Sequence, residues 1–543
     1  MRRRSLLVIL TAFIVSVGSL KAQNSISQGA ITGRVTDPSG AVVPGAKVVA
    51  TDLDTGVKST TKTRSDGFFI FPIMKVGRYS LDISKSGFEA VKVRPLDVQI
   101  GQTVTQNAQL KVGSLGTTVT VTGSSPLLKP DQSTSSTVVN QSLIQALPLN
   151  GRRYTDFVLL TPNANADGEF GLVSFGGQQG GGDSGYANGN GASSYTVDGA
   201  NFTSNFYGDA RGRTRVPYIF GENSVQEFQV SDSPYSAAYG GAGAGFINTV
   251  TKSGGDQFHG DAFYYNRNSA TGSNDAIDKA NGVSRPLNDL QQFGGSLGGP
   301  VKHDKAWFFM DYEQQRQLDP ISVINPGMQS LNETSFGVPA GTALPSPNAP
   351  LPVPSGVSAP DPTNPLYLQQ VSNALNAIQS NIGLRNRRRD DLTFFPKLDW
   401  QPDLTDHITF SYNYNKFTSP GGEITFNPEA FAGIQALSNN DVHDHHATVQ
   451  WTRSLRPNLL NDFHISFLRD DQIETPSGLA NPALPTIEIF SPQFFELGNP
   501  GFALGTTHEF QWEANDSATF IKGRNNAKFG FDYDRTHIAD FEF

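Results

Sequence analysis

Hydrophobic and polar residues alternate one by one along most of the chain after residue 255. In one segment Phe410, Tyr412 and Tyr414 share one side of a predicted strand, while Ser411 and Asn413 share the other. The same alternation recurs at residues 447–452, 462–467 and 528–533, and about nine such segments lie between residues 257 and 537. Segments of about ten residues, aromatic on one side and polar on the other, are typical of a membrane β-barrel. A soluble β-sandwich has the same period, so the alternation alone leaves both architectures open.

Residues 29–112 show a different pattern, in which short strands are separated by turn signals. Predicted strands lie at residues 46–50, 67–71, 79–83 and 104–110. The turn signals are Asp37-Pro38-Ser39-Gly40, Asp54-Thr55-Gly56 and Ser65-Asp66-Gly67. About seven short strands in a segment of this length predict a β-sandwich.

Residues 134–254 combine a short helix with glycine-rich connections. Leu143, Ile144 and Leu147 have helical spacing, and Pro148 should end that helix. After it, Asn150-Gly151 predicts a tight turn, and Arg152 is a candidate for an internal ion pair. Glycine dominates residues 168–191, which should form a loop because such a composition cannot bury a core. A strand pattern follows at residues 246–254, so we expect a small α/β domain.

The N-terminus and the composition restrict where the chain works. Residues 1–22 carry Arg2, Arg3 and Arg4 before an apolar run and a small-residue cleavage site, which predicts a secretory signal peptide. The sequence has no cysteine. Its net charge of −9 is spread along the chain without a basic stripe, which argues against nucleic-acid binding. The one dense basic run, residues 385–389, is interpreted as a solvated loop or a strand end that faces lipopolysaccharide phosphates.

No signature of catalysis or of a cofactor is present in the sequence. Zinc-protease, P-loop and nucleophile-elbow motifs are missing, so we predict a protein that is not an enzyme, with no cofactor and no catalytic residue. His443 and His445, with Asp441, could hold a transition metal on one side of a strand. A strand entering the membrane interface explains them more simply, and we predict no metal site.

Six segments, in this order, resemble TonB-dependent outer-membrane transporters of the Oar-like branch. They are LPLNGR (147–152), YTVDGAN (195–201), QEFQV (226–230), YSAAYG (235–240), GFINTVTKSGGDQFHG (245–260) and GGSLGGPVKHDKAWFFMDYE (294–313). Upstream, ITGRVTDPSGAVVPGAKV and TRSDGFFIFPIMKVGRYSLDI resemble the carboxypeptidase-regulatory-like domain, a transthyretin-like β-sandwich with a carbohydrate-binding-like fold.

The resemblance implies a mainly β chain in the outer membrane of a Gram-negative cell. The domains expected are a signal peptide (1–22), a β-sandwich (29–112), a linker (113–133), a small α/β plug domain (134–254) and part of an antiparallel transmembrane β-barrel (255–543). Barrels of this family have many more strands than about nine, so we expect a fragment of a longer protein. The long insertion at residues 318–364 should lie outside the cell.

The resemblance also implies partners and site residues. A TonB-type periplasmic protein should supply energy, outer-membrane lipid and lipopolysaccharide should surround the barrel, and the extracellular ligand stays unidentified, with a lean towards a saccharide or peptide. The TonB box candidate is Thr118, Val119, Thr120, Val121 and Thr122, because strand addition needs an accessible β-prone segment. The alternative is that this segment is the last strand of the sandwich or the first of the plug. The plug motif residues are Leu147, Pro148, Asn150, Gly151, Arg152, Asp198 and Gly199.

A different class of function also fits the pattern of strands. A secreted or surface-anchored adhesin could hold glycans through the sandwich, and it would be soluble without detergent and independent of a coupling protein.

Overall fold

The computed structural model describes most of the chain after the N-terminal segment. The described residues are 28–113, 118–122, 136–147, 149–162, 164–167, 172–175, 193–204, 209–210, 219–231, 245–274, 276–280, 288–318, 320–323, 326–347, 361–403, 405–423, 433–456, 458–477, 487–489, 495–498, 505–522 and 525–539. The predicted signal peptide and Pro148 lie outside them, as does the predicted glycine-rich loop except for residues 172–175.

The first domain is a β-sandwich, as its strand and turn pattern predicted. Its strands are β1 (Gly29–Thr36), β2 (Lys47–Asp52), β3 (Lys58–Lys62), β4 (Phe68–Met74), β5 (Gly77–Ser84), β6 (Ala90–Val98), β7 (Thr103–Thr105), β8 (Ala108–Gln109) and β9 (Thr118–Thr122). One sheet has the order β4-β1-β7, with β8 also paired to β1, and the other has the order β3-β2-β5-β6-β9. Alternate apolar side chains such as Ile31, Phe69, Leu81 and Ile83 fill the space between the sheets and are fully buried.

The second domain, which we call the plug, is a small α/β unit. Its elements are β10 (Thr137–Asn140), α1 (Gln141–Ala146), the 3₁₀ helices η1 (Asn150–Arg152) and η2 (Tyr154–Leu160), β11 (Ala164–Asp167), β12 (Leu172–Phe175), β13 (Ser193–Val197), β14 (Ala200–Asn201), β15 (Thr203–Ser204), β16 (Asp209–Ala210), η3 (Glu222–Ser224), β17 (Val225–Ser231) and β18 (Gly245–Thr251). The order β10-β17-β18-β13-β14 forms its main sheet. Helix α1 begins at Asn140, whose side chain accepts a hydrogen bond from the Leu143 N–H. Of the three apolar residues with helical spacing, only Ile144 is buried, while Leu143 and Leu147 are exposed.

The third region is a nine-stranded antiparallel sheet, which we call the wall. Its strands are β19 (His259–Asn268), β20 (Asp289–Lys302), β21 (Ala306–Leu318), β24 (Arg388–Trp400), β25 (Asp406–Glu423), β26 (Ser438–Arg456), β27 (Leu459–Pro476), β30 (Gly505–Lys522) and β31 (Asn525–Ala539), paired in that order. The connections contain α2 (Ala276–Ala280), β22 (Ile321–Val323), α3 (Pro326–Gln329), η4 (Glu333–Phe336), α4 (Pro365–Gln379), β23 (Gly383–Arg385), η5 (Ile434–Ala436), β28 (Ile487–Ile489) and β29 (Phe495–Leu497). The nine strands agree with the number counted from the alternation.

The two faces of the wall reverse the polarity of a soluble protein. On β25, Ser411, Asn413 and Asn415 are buried on the inner face, whereas Phe410 is 42% exposed on the opposite face. Trp512, Phe529, Phe531 and other large apolar side chains on that outer face are also exposed. A water-soluble sandwich would place these groups the other way round, so the outer face is built to meet lipid. In the described part of the chain no helix is both long and apolar enough to cross a membrane.

The two ends of the wall differ in the length of their connections. Strands β20 and β21, β24 and β25, β26 and β27, and β30 and β31 are separated by two to five residues at one end of the wall, and consecutive strands are separated by longer segments at the other. The sandwich sits at the short-turn end, where the Thr55 carbonyl accepts a hydrogen bond from the Asp256 N–H. Barrels of the outer membrane have short periplasmic turns, so this is the periplasmic end. At the opposite end Val371, Leu375 and Ile378, which have helical spacing, are buried on one side of α4.

The plug leads directly into the wall at Gly254. A Cβ added there would lie 2.1 Å from the Phe308 carbonyl oxygen, so the backbone of the junction touches the backbone of β21. Only glycine fits such a close approach, and this accounts for the glycine at the boundary that the sequence pattern marked.

Candidate functional site: the interface between plug and wall

Arg152 is placed by a turn that the Asn150-Gly151 pair forms. Gly151 has a φ of +80°, in the left-handed region that favours glycine, and the next residue, Arg152, also has a positive φ of +57°. A positive φ is uncommon for arginine and costs free energy, so contacts of its side chain must compensate for it.

Those contacts join Arg152 to β21 of the wall. The guanidinium donates from Nε to Glu313 Oε2 (3.1 Å) and from Nη2 to Glu313 Oε1 (3.0 Å). Glu313 is fully buried, and its Oε1 also accepts a hydrogen bond from the Asn223 N–H at 2.9 Å. The forked pairing is the strong geometry for arginine and a carboxylate, and it is the internal ion pair that the sequence predicted for Arg152.

Other plug and wall residues surround the same guanidinium. Its Nη2 donates to Asn223 Oδ1 (2.9 Å), and its Nη1 lies 3.7 Å from Glu222 Oε1. Its Cζ lies 3.9 Å from the centre of the Phe263 ring on β19, within the range of a cation–π contact. Burial raises the pKa of Glu222 above its ordinary value, while the nearby charge of Arg152 opposes that shift. Burial likewise lowers the pKa of Lys252, against the pull of the surrounding carboxylates.

A second ion pair crosses the interface at Asp198. Asp198 and Gly199 have φ values of +51° and +90° and form the two-residue turn between β13 and β14. The Asp198 carboxylate accepts hydrogen bonds from the Thr251 N–H (2.9 Å) and the Thr251 hydroxyl (2.5 Å). It also accepts from Nζ of Lys397 on β24 at 3.0 Å, and both charged side chains are nearly buried.

Further polar contacts extend the interface along the wall. The Asn201 N–H donates to Glu513 Oε2 and the Ser204 hydroxyl donates to Glu509 Oε2, each at 2.8 Å. The Asn413 side-chain amide donates to the Ile219 carbonyl at 3.1 Å. The plug is therefore bonded to strands β21, β24, β25 and β30.

An apolar cluster completes the interface. Phe220 of the plug contacts Phe395 of the wall edge to face, with ring centres 5.7 Å apart. Phe309, Phe417, Val442 and Leu468 of the wall are buried in the same cluster. The plug is thus packed as well as bonded against the inner face.

The remaining predicted residues lie near this interface or beside it. Leu147 follows α1 and is 38% exposed, and Pro148 lies outside the described residues. The TonB box candidate, Thr118–Thr122, forms β9 and pairs in parallel with β6 of the sandwich. His443 and His445 lie on the outer face of the wall, hydrogen-bonded to the hydroxyls of Tyr414 and Tyr412. Among the described residues, no cluster of three or more acidic or histidine side chains could hold a metal ion.

Sequence reasoning missed the wall's half of the interface. Glu313 and Lys397 read as ordinary polar positions of alternating strands, and Asn223 and Thr251 as ordinary surface residues. A charged residue at an inward position of a strand was the available signal, but many strands of the wall carry one.

Comparison with known proteins agrees with this architecture. Residues 250–543, more than half of the chain, match the family described as the outer membrane beta barrel domain. Residues 30–111 match the carboxypeptidase regulatory-like domain. The chain is 26% identical to the TonB-dependent transporter Oar of Myxococcus xanthus over 354 residues, which are 60% of this chain and 31% of that protein.

Solved structures of receptors show a weaker likeness. The siderophore receptor PirA from Acinetobacter baumannii has 13% identity and a TM-score of 0.46, covering 74% of this chain and 48% of that one. The outer membrane transporter YddB from Escherichia coli has 11% identity and a TM-score of 0.47, with the same coverage. At such values these two likenesses carry no argument about a ligand.

The chain spans about a third of the length of Oar and about half of the length of these solved receptors. The family match over residues 250–543 covers the whole wall, and the match at residues 30–111 covers most of the sandwich. The chain therefore belongs to the outer membrane beta barrel domain family, lies in the outer membrane, and is a homologue of the TonB-dependent transporter Oar.

Proposed function

We propose that this chain works as a TonB-dependent transporter, taking up an extracellular ligand with energy from a TonB-type periplasmic protein. The observation that carries the proposal is a folded plug held against the polar inner face of the wall by Arg152–Glu313 and Asp198–Lys397. Homology to Oar supports the same function, and the names of the relatives are those of transporters and receptors rather than enzymes.

The polar nature of this interface suits a domain that has to move. A buried ion pair gives little net stability over solvated ions, yet it fixes one geometry because each mispaired charge is costly. Water can hydrate the two charges of an ion pair when they separate, whereas separating an apolar interface of the same size would expose apolar surface to water at a cost in free energy. The plug is thus held in register and can still be displaced by a mechanical pull.

The pull has to enter the chain at a segment that a partner can grasp. Strand β9 (Thr118–Thr122) stands at the end of the sheet order β3-β2-β5-β6-β9, so within the described residues one of its edges has no partner strand. A lightly charged edge strand can accept a strand from another protein. We therefore propose β9 as the TonB box, with the last-strand interpretation describing its resting position.

Proline substitution should identify which edge the partner uses. Adjacent residues of a strand point their N–H groups to opposite edges, and proline has no N–H to donate. One of the two residues Thr120 and Val121 has its N–H on the open edge of β9. Replacing that residue with proline (Thr120→Pro or Val121→Pro) should lower the affinity for the purified periplasmic domain of a TonB-type protein at least tenfold. The measurement is the affinity of each variant for the periplasmic domain immobilised on a surface. Thr60→Pro, on the opposite edge strand β3, is the control. Unaltered binding in both β9 variants would place the TonB box elsewhere.

The remaining partners follow from the surface of the wall. We propose that lipid covers the outer apolar face and that Arg388, whose side chain is 60% exposed at the end of β24 opposite the sandwich and pairs with Asp390 at 2.7 Å, contacts lipopolysaccharide phosphates. The carbohydrate-binding-like fold of the sandwich favours a saccharide or peptide as cargo. Normal growth of a deletion strain on every saccharide polymer and peptide tested would remove that preference.

A further inference from the structure

The sandwich presents a docking face to the rest of the chain, which we define by Thr55, Lys75, Val76 and Ile100. Nζ of Lys75 lies 2.8 Å from Oδ1 of Asp399 on β24 and 3.1 Å from the Ser253 hydroxyl at the end of the plug. Asp399 is 1% exposed. The sandwich thus supplies a cation to a carboxylate buried in the wall.

The same docking face covers the main sheet of the plug. Val76 and Ile100 pack in one apolar cluster with Val250 of β18 and Val138 of β10. The Ile100 N–H donates to Oε1 of Glu227 on β17 at 2.5 Å. Three strands of the plug therefore touch the sandwich.

A strip of β24 connects the docking face to the plug–wall interface. Lys397 and Asp399 are two residues apart, so both point to the inner face of the wall. Lys397 pairs with Asp198 of the plug, and Asp399 pairs with Lys75 of the sandwich. The three domains meet through neighbouring charges on a single strand.

We propose that the docking face forms a contact with the periplasmic side of the plug that can be broken. The sandwich must undock, by breaking this contact, before the plug can move. This inference rests on the proposed function, because it assumes a pull on β9 towards the periplasm. A docked sandwich covers β10, which is the first plug strand that such a pull would reach. The contact is built for release, since its apolar cluster is small and the Lys75 side chain is 35% exposed and easily rehydrated.

Hydrogen exchange tests the docking without any partner. In the purified protein, Lys75→Ala should speed the exchange of the Ile100 amide and of β17 amides about tenfold, because the face loses its ionic contact with the wall. Lys92→Ala is the matched control, because Lys92 forms its ion pair with Asp82 on the surface of the same sandwich. That pair involves no residue of the plug or the wall. Equal exchange in both variants would contradict the proposed role of the docking face.

A reversible cross-link tests whether undocking is required. An ideal Cβ at Gly56 lies 3.5 Å from the Cβ of Asp256, a separation that suits a disulfide, and the chain has no other cysteine to compete. Gly56 has a φ of +78°, which strains a cysteine there, and the reduced double variant controls for that strain. Gly56→Cys combined with Asp256→Cys should therefore lock the sandwich to the start of the wall when oxidised. Lys47→Cys with Lys62→Cys, paired within the sandwich, is the control cross-link.

The readout is the extension of the plug when a force-microscope tip carrying the purified TonB-type periplasmic domain pulls on the protein. The reduced variant and the control should extend, and the oxidised variant should lose the extension. Equal extension in the oxidised and reduced variants would overturn the inference. A tip that fails to attach even to the unmodified protein would instead count against the proposed function, and hydrogen exchange would still decide the docking.

Discussion

Replacing Arg152 with alanine should lower the free energy that holds the plug against the wall by about 3–5 kcal/mol, because it leaves Glu313 buried and without its cation. Glu313 is fully buried and would keep the Asn223 N–H as its donor. The substitution also removes the ring contact with Phe263 and leaves a positive φ that no side-chain contact compensates. We expect amides of β17 and η3 to exchange with solvent more than a hundredfold faster, which mass spectrometry of the purified protein would measure.

The neighbouring arginine provides the control for this prediction. Arg153→Ala removes a side chain that is 27% exposed and whose ion pair with Asp156 spans 4.0 Å, and partly exposed pairs of that kind contribute little. Adding Glu313→Gln to Arg152→Ala should restore much of the loss, because the amide needs no cation and its oxygen still accepts from Asn223. If Arg153→Ala accelerated amide exchange in the plug as much as Arg152→Ala, the Arg152–Glu313 pair would not be the contact that holds the plug in place.

Asp198→Ala should have a comparable effect at the second ion pair. It leaves Lys397 buried without its carboxylate, at a cost of about 3–5 kcal/mol. It also places alanine at a φ of +51°, which adds about 1–2 kcal/mol. The hydrogen bonds to Thr251 disappear with the carboxylate. The expected result is faster exchange of the Thr251 amide and easier proteolysis of the plug.

Two variants separate the charge from the backbone effect. Asp198→Asn keeps an acceptor for Thr251 and a residue that tolerates positive φ, so its loss should be smaller and should report the charge. Asp304→Ala is the backbone control, because Asp304 has a similar φ of +58° in an exposed turn of the wall. A loss from Asp304→Ala as large as that from Asp198→Ala would mean that backbone strain, rather than the pair with Lys397, explains the effect.

The local pattern of hydrophobic and polar residues predicted a large part of the architecture. The alternation of Phe410, Tyr412 and Tyr414 with Ser411 and Asn413 specified a strand with two unlike faces, because the side-chain period of a strand is two residues wherever the strand lies. Turn signals and short strand patterns likewise predicted the sandwich from local sequence alone.

The tertiary structure decided which of the two strand faces meets the protein. Periodicity is the same for a barrel and a soluble sandwich, and it is the burial of Ser411, Asn413 and Asn415 beside an exposed Phe410 that shows the aromatic side pointing outward. The spacing of Leu143, Ile144 and Leu147 predicted a helix, which the structure contains as α1, but the tertiary structure decided that only Ile144 of the three is buried.

By itself the sequence determined the strands, the glycine turn at Gly151 and an arginine that is a candidate for an internal ion pair. Only the tertiary structure selected Glu313 for Arg152 and Lys397 for Asp198, which are 161 and 199 residues away along the chain. The physical reason is that an ion pair leaves no trace in local spacing when its two halves belong to different domains. Which inward charge meets which plug residue depends on the register of the wall strands and on how the plug sits against them.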